Sequence, residues 1–140
     1  MKGKSTPSTL DRLLQKAIGV REHAYAPYSK YRVGAAIMTK SGAVFVGCNV
    51  ENATYGATIC AERGAIIQMI AAGEREPIAA AVATADGASP CGICRQVFAE
   101  FTSNMPIVLV NLNDEIGTIV ELAELLPLAF RGGSERSARS

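Results

Sequence analysis

The sequence predicts an α/β fold in three layers, α/β/α, with a mixed sheet of about five strands that begins with a hairpin and ends on an antiparallel strand. Three observations carry this. Apolar runs of strand length alternate with segments of helical periodicity along the 140 residues. The first two strand-like runs are separated only by a turn. The last two are too close together for a parallel crossover, which needs about a dozen residues or more. With no internal repeat or linker, residues 1–131 read as one domain, and the polar stretch 132–140 reads as a flexible tail.

The elements follow in order. Leu10, Leu13, Leu14, Ala17 and Ile18 recur at helical spacing behind Ser8-Thr9-Leu10-Asp11, which has the form of a capping box, so a first helix is expected to about Ala24. Pro27 then breaks the pattern. Val33–Met38 and Val44–Val50 flank Lys40-Ser41-Gly42, where glycine takes positive φ at little cost, and together they read as the hairpin. A helix is expected from about Cys60 to Ala72, ended by Gly73 and by Pro77 ahead of strand Ile78–Ala83. A turn-rich loop leads to a helix over Cys91–Phe101, strand Ile107–Asn111, strand Gly117–Val120 and a short helix over Leu122–Leu126.

Composition narrows the function classes. The formal net charge is +1 with both signs interspersed, which leaves no basic footprint for neutralising phosphates, so no nucleic-acid partner is expected. The apolar runs fall far short of the about 18 residues that span a bilayer, and no continuous apolar segment follows Met1-Lys2-Gly3-Lys4-Ser5. The expectation is a cytoplasmic protein with a small-molecule partner and no membrane contact. Its four cysteines then point to metal or redox chemistry rather than to disulfides.

Thr58-Ile-Cys60-Ala-Glu62-Arg63 and Ser89-Pro-Cys91-Gly-Ile-Cys94-Arg95-Gln96 each put cysteine at a loop-to-helix junction. Backbone N–H groups and the positive end of the helix dipole stabilise thiolates there, and the thiolate is the form that binds zinc. A tetrahedral zinc with Cys60, Cys91 and Cys94 as ligands leaves a fourth position for water, whose pKa the ion lowers. Glu62, two residues after Cys60, lies near that ion without needing to bind it and is placed to shuttle protons. Taken alone, Cys91-x-x-Cys94 also fits a structural zinc or a thioredoxin-like redox pair.

The fourth cysteine separates a closed site from an open one. Alternation along Val44–Val50 puts Cys48 with Val44, Val46 and Val50, and Asn49 with Glu51 on the opposite face, so Cys48 is expected in the core as a small hydrophobe. His23, the sole histidine, lies on the first helix, far in sequence from both cysteine motifs, and is expected at the surface. The ligand set is therefore all sulfur, and zinc with three thiolates carries a formal charge of −1. Arg63 and the two helix N-termini are the candidate donors that offset it.

Five ordered stretches now stand together: Ala26-Pro-Tyr-Ser-Lys-Tyr-Arg-Val-Gly-Ala-Ala36, Gly47-Cys-Asn-Val-Glu-Asn-Ala-Thr-Tyr55, Ile59-Cys-Ala-Glu-Arg63, Ser89-Pro-Cys-Gly-Ile-Cys-Arg-Gln-Val97 and Glu124-Leu-Leu-Pro127. In these the chain resembles the small, homotetrameric, zinc-dependent cytidine deaminases from about Leu10 to Phe130. Hydrolytic zinc deaminases with cysteine ligands and a glutamate that does not bind the metal are a known class. The resemblance implies a cytidine deaminase-like fold, one Zn²⁺ per subunit, Glu62 as the proton carrier, and deamination of cytidine and 2′-deoxycytidine in pyrimidine salvage. It also implies that Asn49 and Glu51 bind the ribose hydroxyls, the Ala61 N–H meets the base carbonyl, and the Ser89 carbonyl accepts from the departing amine. By the same resemblance Tyr31 packs by sugar and base, while Tyr55 and Phe130 help close sites across subunit boundaries of a homotetramer.

Two positions depart from that pattern. The family usually has phenylalanine where Tyr31 stands, so a buried hydroxyl there needs a partner. Many relatives have threonine where Gly64 stands, and glycine costs a helix interior about 1 kcal/mol relative to alanine. The nearest enzymatic alternative is deamination of another cytosine nucleoside such as blasticidin S. The alternative of a different class is a non-catalytic module stapled by zinc.

Overall fold

The computed structural model describes residues 9–132. Apolar runs from residue 34 to residue 121 form a five-stranded sheet of order β2-β1-β3-β4-β5. Its strands are β1 (Gly34–Thr39), β2 (Val44–Cys48), β3 (Pro77–Thr84), β4 (Pro106–Asn111) and β5 (Ile116–Glu121). The helices are α1 (Thr9–Arg21), α2 (Ala61–Ala71), α3 (Gly92–Phe101) and the short α4 (Leu122–Leu125). β3 and β4 are parallel, joined through α3, and every other neighbouring pair is antiparallel, β4–β5 included. This is the expected three-layer mixed sheet.

Both faces of β3 are covered, so it reads as a continuous apolar run rather than an alternating one. On one side Leu13, Leu14 and Ala17 of α1 pack on Ala36, Met38, Ala79, Ala81, Ala83, Val108 and Val110. On the other, Ala61, Ala65, Ile66 and Met69 of α2 join Phe98, Leu122, Ile37, Ala80, Val82 and Ile107. The alanines of β3 leave room for helices to approach both sides closely.

Several boundaries differ from expectation by a residue or more, and three of them have a local reason. The first helix stops at Arg21, not Ala24, because the next N–H groups turn to carbonyls three residues back (Glu22 to Gly19, His23 to Val20, Ala24 to Arg21). Tyr25 is then drawn into an extended bridge with Val50. β2 ends at Cys48, and Val50 sits beyond it in isolated bridges to Tyr25 and Ile59, about half exposed. Pro77 opens β3 instead of preceding it, at a place where the register to β1 shifts. Ser8, and with it the expected capping box, lies outside the described residues, as does the expected tail from residue 133 onward.

The contact of β2 with α2 is set by glycine. A Cβ on Gly47 would stand 2.5 Å from both the Ala61 carbonyl oxygen and the Ala65 nitrogen, which are helix backbone and cannot swing aside. A Cβ on Gly64 would meet its nearest neighbour, the Gly47 Cα, at an ordinary 3.5 Å. The close approach of strand and helix therefore requires glycine at 47 and not at 64. Gly47→Ala is expected to lower stability by about 1–3 kcal/mol, and Gly64→Ala to raise it by up to about 1 kcal/mol. Urea unfolding of the two variants beside the parent checks both signs.

Candidate active site

Cys60 and Cys91 are the residues immediately before the first turns of α2 and α3, both in extended conformation with no side-chain cap hydrogen bond. The first N–H groups of a helix have no intrahelical partner, so both thiols stand at polarised helix ends. Cys94 lies in the first turn of α3, fully buried. The three sulfurs lie within 4.8 Å of one another, and Cys60 Sγ is 3.8 Å from Cys91 Sγ. Sulfurs about 2.3 Å from a tetrahedral zinc stand about 3.8 Å apart. The set therefore fits the ion.

Charge points the same way. Hydrogen bonding, first from Cys94 and then from Arg63 and Cys91, lowers the Cys60 thiol to about 5 against the cost of its partial burial. The same hydrogen bond, with burial and the neighbouring negative charges, pushes Cys94 up. Cys60 is thus the ionised sulfur and Cys94 its donor, and a metal ion bound among the sulfurs would displace the shared proton. Arg63 Nη2 donates to Cys60 Sγ at 3.5 Å and to the Thr58 carbonyl at 3.3 Å, while its buried Nε has no partner among the described residues. Arg63 thus reaches the sulfur of Cys60.

Glu62 is 5% exposed, beside this cluster. Burial, reinforced by negative charge on Cys60, raises its carboxyl to about 7. Such a group both gives and takes a proton near neutrality.

A pocket of about 260 Å³ opens over these residues, and Tyr31, Asn49, Glu51, Cys60, Ala61, Glu62, Ser89 and Cys91 all line it. Asn49 is buried at the end of β2, where Oδ1 accepts the Val33 N–H at 2.9 Å and Nδ2 donates to the Tyr31 carbonyl at 2.8 Å. Glu51 Oε1 accepts the N–H groups of Tyr28 and Ser29 at 2.9 and 3.1 Å, and Oε2 accepts the Ser29 hydroxyl. The Ser29 hydrogen bond keeps the Glu51 carboxyl below its ordinary value, hence ionised. Tyr31 Oη donates to Asp86 Oδ1 at 2.6 Å, which supplies the partner its hydroxyl needs.

Tyr55 and Phe130 stand outside this pocket. Tyr55 is 75% exposed, edge-on to Tyr28 at 5.9 Å between ring centres, and lines a neighbouring hollow that shares Ser29, Glu51 and Thr58 with the first. The Phe130 ring is 72% exposed. His23 is exposed, as expected. Cys48 stays outside the sulfur cluster, but it is only half-buried rather than a core residue. The reason is that β2 is an edge strand, and all five of its residues are partly open.

Sequence reasoning gave no role to Arg95, Gln96, Ser29 or Asp86. Arg95 Nε donates to the Pro90 carbonyl at 2.7 Å, Nη2 to Ser89 Oγ at 2.7 Å and Nη1 to the Leu125 carbonyl at 2.8 Å. Gln96 Nε2 donates to the Phe130 carbonyl at 3.0 Å. These two residues tie the Ser89 loop and the segment bearing Phe130 to the first turns of α3. Their adjacency to Cys94 was a signal that they matter, whereas partners about thirty residues away cannot be read from spacing.

Comparison with known proteins agrees with this geometry. Residues 7–110 match the family described as "Cytidine and deoxycytidylate deaminase zinc-binding region". A cytidine deaminase from Sporosarcina psychrophila is 45% identical over 124 residues, 86% of this chain and 90% of that protein. One from Halalkalibacterium halodurans is 46% identical over 121 residues, 84% and 91% of the two chains. Among solved structures, cytidine deaminase from Burkholderia pseudomallei superposes with a TM-score of 0.80 at 45% identity, covering 85% of this chain and 97% of that one. The enzyme from Mycobacterium tuberculosis gives 0.75 at 35% identity, covering 86% and 96%.

Proposed function

Because the chain belongs to the cytidine and deoxycytidylate deaminase zinc-binding family, we propose that it hydrolyses cytidine and 2′-deoxycytidine to the corresponding uridines with release of ammonia. The observation that carries this reading is one pocket lined by Cys60 and Cys91 of a three-thiol set at zinc spacing, by a buried carboxyl raised to about 7, and by the Asn49–Glu51 pair. The implied role is pyrimidine salvage.

Cys60, Cys91 and Cys94 would hold the zinc, which when bound supplies a Lewis acid that activates water near neutral pH. The rest of the chemistry falls to the chain's own groups. Glu62 takes a proton from the attacking water, delivers one to N3 of the cytosine ring, and passes another to the exocyclic amine as it leaves. One water enters, ammonia departs, and the ring carbon that bore the amine ends as a carbonyl. The Ala61 N–H, at the unpartnered start of α2, donates to the base carbonyl, and the Ser89 carbonyl accepts from the departing amine. Asn49 and Glu51 receive the ribose hydroxyls. Both are already held by backbone and Ser29 contacts, so little freedom is lost on binding.

Tyr31 forms a wall by sugar and base, and Tyr55 and Phe130 close sites across the subunit boundaries of a homotetramer. Their outward exposure supports this role. Among the described residues no helix is long and apolar enough to cross a membrane. The described part of residues 1–131 forms the catalytic domain, and the enzyme works in the cytoplasm.

Arg63 draws charge from the zinc thiolates. Arg63→Ala is expected to weaken zinc binding by about 10- to 100-fold, read by competition with a chromogenic chelator. An unchanged affinity excludes this role.

The reading itself is tested by an ultraviolet assay on purified zinc-loaded protein offered cytidine, 2′-deoxycytidine, adenosine, cytidine monophosphate and blasticidin S separately. Turnover of the first two alone is expected. Turnover of blasticidin S alone would move the chain to the other cytosine nucleoside, and turnover of none despite bound zinc would make it a structural zinc module.

A further inference from the structure

Tyr31 is bonded through three groups that lead in two directions. Its N–H donates to Ser29 Oγ at 3.0 Å, and its carbonyl accepts from Asn49 Nδ2 at 2.8 Å. Ser29 in turn donates to Glu51, so the Tyr31 backbone is tied to both residues assigned to the sugar. Its hydroxyl reaches the other way, to Asp86.

Asp86 opens the loop that carries Ser89 and leads into Cys91. That loop is pinned at its root. Thr84 Oγ1 donates to Asp86 Oδ1 at 3.3 Å and accepts the N–H groups of Gly87 and Ala88 at 2.7 and 3.1 Å, while Asn111 Nδ2 donates to the Asp86 carbonyl at 3.2 Å.

We infer that the Tyr31–Asp86 hydrogen bond is a strap between the two walls of the pocket, making Tyr31 and Asp86 positioning residues that set affinity for the nucleoside. The inference rests on the reading that this pocket receives a nucleoside. Register explains why the strap forms: Gly34 of β1 pairs with Ala83 of β3, so the chain entering β1 and the chain leaving β3 run side by side at this end of the sheet. The chemistry of the pair suits a lasting bond. Burial and the Asp86 contact hold the Tyr31 hydroxyl in its protonated, donating form, and the tyrosine contact keeps Asp86 ionised and accepting. A hydrogen bond to an ionised acceptor is among the stronger kinds.

The wall touches substrate in the ground state and the transition state alike, so its loss raises KM and leaves kcat nearly unchanged. Tyr31→Phe keeps the ring and removes the hydroxyl. Asp86→Ala removes the acceptor from an exposed loop position, and Asp86→Asn keeps an acceptor oxygen. Steady-state kinetics with cytidine on these three variants and on the double Tyr31→Phe/Asp86→Ala, with zinc content measured beside them, separates the possibilities. Tyr31→Phe and Asp86→Ala should each raise KM about five- to tenfold with kcat within about twofold. The double variant should be no worse than either single one, and Asp86→Asn should recover most of the loss.

Multiplying effects in the double variant, an unchanged KM in Tyr31→Phe, or losses confined to melting temperature and zinc content overturn the strap while leaving the nucleoside reading intact. A zinc-loaded parent that does not turn over cytidine overturns both.

Discussion

Glu62→Gln is expected to lower kcat by about 10²- to 10⁴-fold while the protein keeps its fold and one zinc per chain. The side chain is buried and carries a carboxyl raised to about 7, so its neutral form already fits the surroundings. Glutamine preserves that shape and neutrality but has no proton to exchange near pH 7. A structural zinc module, with nothing to catalyse, would register the same change only as a small shift in stability. Turnover measured beside zinc content and circular dichroism tells the two apart, and Glu62→Gln protein with near-parent kcat would remove Glu62 from the chemistry.

The second large effect is expected at the ligands. Cys94→Ala removes a fully buried sulfur from a set of three that no other described cysteine can complete, since Cys48 stands apart on the edge strand. Zinc and activity should both be lost. At free zinc a thousandfold above its Kd, binding to the folded state alone contributes about 4 kcal/mol of stability, and that contribution disappears with the ligand. A chelator should therefore lower the melting temperature of the parent far more than that of Cys94→Ala. Cys48→Ala is the control, expected to hold one zinc per chain; its loss of the metal would show that the ligand set has been misread.

The architecture was readable because its cues are local. Helical spacing in α1, the short gap between β4 and β5, and prolines at element ends needed no long-range information, and the errors were confined to boundaries. β2 is the instructive case. Alternation correctly put Cys48 opposite Asn49, but whether that face is core or edge depends on strand order, which the sequence does not state, so Cys48 proved half-open. The site divides in the same way. Cys60, Glu62, Cys91 and Cys94 were legible because two short motifs carry them. The restraint of Glu51 by Ser29, the bond from Arg95 to Leu125, and the Tyr31–Asp86 contact join residues 22, 30 and 55 positions apart. Those pairings exist only once the sheet has brought loops from different strands to one end.

Zinc-dependent deamination is tested most directly by titrating zinc back into chelated protein while ammonia release from cytidine is followed. Activity is expected to rise in proportion to bound metal and to level off at one zinc per chain, with uridine and ammonia formed in equal amounts. Protein that binds one zinc per chain and releases no ammonia from cytidine would contradict it.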